Sequence, residues 1–221
     1  MQHTRSAALL SLALVVGIAT APARAQDSAP AAGDATGDSR RGAVLSDTCM
    51  GCHGIPGYRN AYPSFRVPKL GGQHPEYIVI ALQGYKAQIR PHKTMHAQAI
   101  SLSDQDMKDI AAFFASEGEI QKAAAPVGTA PEKASTCVAC HGEGGISVAT
   151  NWPSLAGQHK DYLEHAIIEY KSGARKDPVM GSMAVALTPA EIHELAAYFA
   201  SQSGLFSVHY TTAGAKTANA Q

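Results

Sequence analysis

The chain of 221 residues spends cysteine in only two stretches, CMGCHG at 49–54 and CVACHG at 137–142. Cys49 and Cys52 stand three apart with His53 directly after them, and Cys137, Cys140 and His141 repeat the arrangement 88 positions later. Two cysteines at this spacing serve three chemistries: a redox dithiol, half of a tetrahedral zinc site, or thioether attachment of a haem. In the third, both sulfurs bond one edge of a porphyrin and the adjacent histidine is held against the iron. A redox dithiol belongs in a thioredoxin-like βαβ context. A zinc site would gather all four cysteines and leave the two matched histidines without a role.

The elements that must position these groups are duplicated. Residues 68–116 align without a gap on residues 153–201 at an offset of 85, pairing Gln73 with Gln158, His74 with His159, Tyr77 with Tyr162, Tyr85 with Tyr170, Arg90 with Arg175 and Met95 with Met180. The first copy holds three additional residues between its cysteine motif and Pro68. A long period used twice is a duplicated domain, not a solenoid. The expected organisation is all-α, with one small helical domain over 37–118 and a second over 128–204. An Ala- and Pro-rich linker, 119–127, joins them. Residues 26–36 and 205–221 lack apolar periodicity and are expected to be mobile.

Helix signals recur in both copies. Ser103 and Asp106 form a capping-box pattern ahead of a stripe of Met107, Ile110, Ala111 and Phe114. Thr188, Pro189 and Glu191 do the same ahead of Ile192, Leu195, Ala196 and Phe199. A further helix is expected over about 75–87, with Tyr77, Ala81, Leu82 and Tyr85 on one side. Its counterpart carries Tyr162, Ala166 and Tyr170. A short helix over 39–48 leads into Cys49, whereas the equivalent PEKAST before Cys137 has almost no apolar face. Each copy has few large apolar side chains, a meagre core for independent stability.

A covalently attached haem in each copy supplies the missing apolar bulk and explains both histidines, so the reading is two haem c groups. The covalent attachment points are Cys49, Cys52, Cys137 and Cys140. The axial histidines are His53 and His141. Methionine opposite histidine is the pairing that raises a haem's reduction potential. Met95 and Met180 hold equivalent places, each eight residues before a capping Ser103 or Thr188, in the loop-like stretches RPHKTMH and RKDPVMG. Met50 lies inside an attachment motif, Met107 on a core stripe, and Met183 aligns with Gln98 and has no counterpart. Met95 and Met180 are therefore the expected sixth ligands. His92 and His96 are the competitors for the first iron and are assigned to surface or supporting positions. His74 and His159 are expected to help start helices. Arg90 and Arg175 are either partners of haem propionates or solvated surface charges.

The N-terminus reads as an export signal over residues 1–25: a short positive start, the apolar SAALLSLALVVGIATA, and an A-x-A pattern ending at Ala25. Its removal takes Arg5 and Arg24 and no acid from a chain of 18 basic and 18 acidic residues. A slightly acidic remainder does not suit nucleic acid as the main partner. No later segment reads as a membrane span, although peripheral membrane association remains open.

These motifs resemble the dihaem cytochromes c of the c4 type, tandem class I cytochrome c domains exported to the bacterial periplasm. The resemblance rests on CMGCH and CVACH, PKLGGQ and PSLAGQ, the two phased methionines, and LSDQDMKDIAAFFAS and LTPAEIHELAAYFAS. It covers the whole chain after the leader. It implies that the Pro68 and Pro153 carbonyls accept the free ring N–H of His53 and His141, and that two domains pack about a pseudo-twofold axis. It also implies a soluble electron carrier between a respiratory donor and a terminal oxidase or reductase, with no catalytic residues of its own. The alternative is a dihaem electron-transfer subunit of a periplasmic sulfide- or alcohol-oxidising complex. A dihaem thiosulfate dehydrogenase using a cysteine ligand is disfavoured, because all four cysteines are committed to attachment.

Overall fold

The computed structural model describes residues 37–209. The leader 1–25, the segment 26–36 and the last residues, 210–221, lie outside the described residues. The described chain is helical, with two isolated backbone bridges and no longer strand. None of its helices is long and apolar enough to cross a membrane.

In the first half, α1 (Ser39–Leu45) and α2 (Asp47–His53) follow each other with a break at the fully buried Ser46. The single helix expected over 39–48 thus becomes two, and the second carries the cysteine motif to its last residue. Asp38 caps α1 by accepting from the Arg40 and Arg41 amides. Gly42 lies so close to α5 (Asp104–Ser116) that a Cβ there would sit 1.9 Å from the Asp109 carbonyl oxygen. Arg41 reaches across to pair with both Asp106 and Asp109. The expected capping box of Ser103 and Asp106 opens α5, and the whole expected stripe is buried. α3 (Pro75–Lys86) packs on α5 and on α4 (Lys93–Ala99). Its buried residues are Ile78, Leu82 and Gly84. The Tyr77 and Tyr85 hydroxyls share the Arg90 guanidinium, and Tyr77 also accepts from Arg175 of the other half.

The second half repeats the plan with less polypeptide. α6 (Ala134–His141) ends in the second motif and starts without a side-chain cap. A 3-10 turn over Glu143–Gly145 follows, then α7 (Lys160–Ser172), α8 (Pro178–Ala184) and α9 (Pro189–Ser201), with α7 packed on α8 and α9. The Thr188–Glu191 capping box is formed, with Pro189 in the first turn. This core gathers Ala134, Leu163, Leu195, Ala196, Tyr198 and Phe199.

Three devices stand out among the contacts that join the halves. The first is a reciprocal glutamine clasp. Gln158 Oε1 accepts from the Lys69 amide at 2.9 Å and its Nε2 donates to the Lys69 carbonyl at 3.0 Å. Gln73 makes the same pair of bonds with Ser154, both at 3.0 Å. Lys69 and Ser154 are themselves repeat equivalents, so the clasp has twofold character.

The second device is the loop that holds the first copy's additional residues. Its Phe65 is buried and stacks on His165 with ring centroids 4.2 Å apart, while Arg59 and Arg66 both pair with Asp161. The third is the segment after α9. Leu205 donates its amide to Ala156, then Phe206 and Gly71 exchange both backbone hydrogen bonds at 3.1 Å. Val208 joins the first half's core at 3% exposure. Residues 205–208, which the sequence assigns to a mobile tail, are therefore packed: their apolar side chains find partners that no local pattern reveals.

Candidate cofactor sites

Each cysteine motif ends a helix, which places two thiols one turn apart on one face with the histidine beside them. His53 Nδ1 lies 2.9 Å from the Pro68 carbonyl and His141 Nδ1 lies 2.8 Å from the Pro153 carbonyl. A carbonyl can only accept, so in both rings Nδ1 carries the proton and Nε2 keeps its lone pair for a metal. Burial lowers the pKa of both imidazoles, against the opposing carbonyl bond, and His92 pushes His53 in the same direction. A neutral ring is the ligating form. Burial also raises the thiol pKa of Cys49 and Cys137, the reverse of what a redox thiolate needs. Among the described residues no three His, Cys, Asp or Glu side chains gather to hold a metal ion, so the four cysteines do not form a tetrahedral zinc site.

Met95 and Met180 lie within the two short helices α4 and α8, not in loops. Each helix is stopped down at its N-terminus by a side chain that accepts from the methionine's own amide: His92 Nδ1 at 3.2 Å and Asp177 Oδ1 at 2.8 Å. His92 and Asp177 are repeat equivalents, so a histidine that looked like a competing ligand is a cap. Burial holds its pKa down and keeps the accepting lone pair available. His96 donates from Nδ1 to the Tyr85 carbonyl and accepts from Gln88 at Nε2. Met50 and Met107 are core residues at 5% and 0% exposure, and Met183 is 47% exposed.

A cavity of about 830 Å³ runs through both halves. Its walls include both cysteine pairs, His53, His141, Met95 and Met180, with Leu82 and Leu163 among the apolar lining. Arg90 and Arg175 also line it and are buried, which excludes the surface-charge alternative for them. Arg90 donates to the Tyr77, Tyr85 and Tyr162 hydroxyls at 3.3–3.4 Å, and Arg175 to Tyr77 at 3.1 Å. Burial would raise the Tyr77 pKa, but the two guanidiniums outweigh it and the net direction is down. The Nε of each arginine is buried without a partner. Two desolvated cations with spare donors, and no carboxylate among the described residues paired with them, call for an anionic ligand. The site therefore fits two porphyrins: thiols and imidazoles at one edge, thioethers across an apolar cavity, and guanidiniums for carboxylate groups.

The clasp leaves no signal of its own along the chain. Gln73 and Gln158 are visible as matched positions, but a polar pair in a repeat says nothing about bonding across the two copies. His74 is a similar case. It stands at the N-cap of α3 without a side-chain cap bond, and its Nε2 donates to the Ser147 carbonyl of the second half at 2.8 Å.

The protein-family model described as Cytochrome c matches twice, over residues 39–117 and 132–203. The chain is similar to cytochrome c4 of Stutzerimonas stutzeri, 36% identical over 215 residues that cover 86% of this chain and 96% of the relative. It is also similar to the thiosulfate dehydrogenase electron acceptor of Stutzerimonas stutzeri strain A1501, 32% identical over 169 residues, 69% of this chain and 77% of the relative. Among solved structures, reduced recombinant cytochrome c4 from Pseudomonas stutzeri aligns with a TM-score of 0.59 at 29% identity, covering 77% of this chain and 100% of that one.

Proposed function

The chain belongs to the cytochrome c family, and on that premise we propose how this dihaem c-type electron-transfer cytochrome, with two covalently bound haem c groups, uses its residues. Cys49 and Cys52 hold the first haem and Cys137 and Cys140 the second. His53 and Met95 would hold the first iron, and His141 and Met180 the second. The domains run over 37–118 and 128–204, with 119–127 as linker. The leader 1–25 is cleaved and the mature protein works in the periplasm as a carrier between redox proteins, with no reaction of its own to catalyse.

The observation that carries this reading is the pair of carbonyl-fixed histidines, each sharing a cavity wall with its cysteines and its repeat-matched methionine. When bound, each haem supplies a one-electron iron couple. The protein's part is to fix the imidazole tautomer, fill the sixth position with a thioether and keep water from the iron. Arg90 and Arg175 offset the propionate charges. With a histidine and a methionine committed to each iron, the chain would leave no metal position for a substrate. The intact mass of the exported protein tests the assignment: two haems on a chain that starts at Gln26. One haem, or a retained leader, overturns it. Weak binding of carbon monoxide to the reduced protein and of cyanide to the oxidised protein tests the ligand set.

A second reading, acceptor for a thiosulfate-oxidising enzyme, is favoured by the relative whose name states that role. Stopped-flow reduction by a thiosulfate dehydrogenase separates the two. Reduction fast enough to keep pace with that enzyme's turnover supports the acceptor role, and slow reduction restricts the protein to other donors.

A further inference from the structure

The clasp and the histidine carbonyls meet on the same two peptide groups. The amide that joins Pro68 to Lys69 is one conjugated unit. Its carbonyl accepts the His53 Nδ1–H at 2.9 Å, and its N–H donates to Gln158 Oε1, in the other half, at 2.9 Å. The amide that joins Pro153 to Ser154 does likewise, with His141 at 2.8 Å and Gln73 Oε1 at 3.0 Å. Both glutamines are more than nine-tenths buried and held in place by their second bond, Nε2 to the Lys69 or Ser154 carbonyl.

We propose that Gln158 and Gln73 are positioning residues that set the reduction potential of the haem in the opposite half: Gln158 acts through His53 and Gln73 through His141. The inference rests on the reading of those histidines as axial ligands. An acceptor on a peptide N–H pulls electron density toward the carbonyl oxygen, because hydrogen bonds in a chain polarise one another by about 10–30% each. A more negative carbonyl oxygen draws harder on the imidazole Nδ1–H. The ring becomes a more basic ligand, which favours ferric over ferrous iron and lowers the potential. Low dielectric around the buried clasp strengthens each link. Each haem is thereby informed of whether the other half is docked, through a path of three hydrogen-bonded groups.

The test is a two-step potentiometric titration of the full dihaem protein, with each haem assigned by NMR, together with the shift of each histidine's Nδ1 proton. Gln158→Met removes the acceptor and keeps the bulk. The expected result is a three- to tenfold shift toward reduction at the first haem, about 28–59 mV since tenfold is 59 mV for one electron. The His53 Nδ1 proton should move upfield, and the second haem should stay near its original potential. Gln73→Met should give the mirror image. Gln158→Glu, which retains an acceptor oxygen, should move the His53 proton downfield. Equal shifts at both haems would mean simple loosening of the seam, and shifts at the haem of the glutamine's own half, or none, overturn the proposal equally. A wild-type protein without histidine–iron signatures overturns the underlying reading instead, and the inference with it.

Discussion

The two halves solve the same problem with different amounts of chain. The first surrounds its cysteine helix with α1, the Arg41 pairs to Asp106 and Asp109, and the loop that carries Phe65 over to His165. The second has no counterpart to α1, and its cysteine helix starts uncapped after Lys133. Yet the parts nearest the cofactor agree closely: histidine to carbonyl at 2.9 and 2.8 Å, a capped methionine helix, and a buried arginine. Divergence has fallen on the outer supports and has spared the elements that set ligand geometry. The cap is the instructive exception, because one half uses a histidine where the other uses an aspartate.

Removing a methionine should have the largest effect. Met95→Ala or Met180→Ala should abolish the sulfur–iron absorption of that half. Its potential should fall by hundreds of millivolts, within the roughly 0.8 V that axial ligands command. The other half should stay close to its own value, and potentiometry with spectral resolution checks this. Met183→Leu, at an exposed position, should cost less than about 1.5 kcal/mol and leave both spectra intact. Loss of the sulfur band in that variant would reverse the assignment of the second site.

The cores come next. Phe114→Ala should destabilise the protein by about 3–5 kcal/mol, as for large core truncations generally, and Phe199→Ala by a similar amount. Differential scanning of the holoprotein should show whether each loss stays in its own half or, through the shared seam, lowers both transitions together. The caps are worth less. Asp177→Ala should cost about 1 kcal/mol, with faster amide exchange confined to α8. His92→Ala should loosen α4 and also release the ring contacts that His92 makes with Phe65 and Tyr85.

The smallest expected effect is a pH slope. Burial first, then Lys69 and Arg66 from the first half and Arg59 beyond them, push His159 down to about 4, with Asp161 opposing. A folded-state pKa below the ordinary value of about 6.5 means that the unfolded chain binds the proton more readily. This contribution to stability is complete above pH 6.5 and is lost as the pH falls toward 4. His159→Gln should flatten that part of the melting-temperature profile, and the difference between the two profiles isolates it from the carboxylates.

Much of this was readable along the chain because it is periodic or local. The α5 and α9 stripes and both capping boxes each depend on residues a few positions apart. What the sequence withheld depends on contacts between halves. Arg90 and Arg175 read as surface charges or propionate partners until their burial beneath the tyrosines is seen. Tyr77 fits the helical period of Leu82, but nothing local shows that it also accepts from Arg175 of the other half. His92 and Met95 sit in a stretch that reads as a loop, because a capped helix of seven residues has too few apolar positions to show a period. The reach of Leu205–Val208 had no local signal at all.

That last segment has a consequence for the order in which the protein can be made. Val208 belongs to the core of the first half, and Phe206 pairs with Gly71. The ribosome delivers both residues only after the whole second half has emerged. The first half therefore waits, one core residue short, while its cysteines already lie outside the cell's translation machinery. Residues 205–208 then complete the seam against the first half. A fragment that stops at the linker would lack this closure permanently, so the two copies, though duplicated in sequence, are not two independently finished parts.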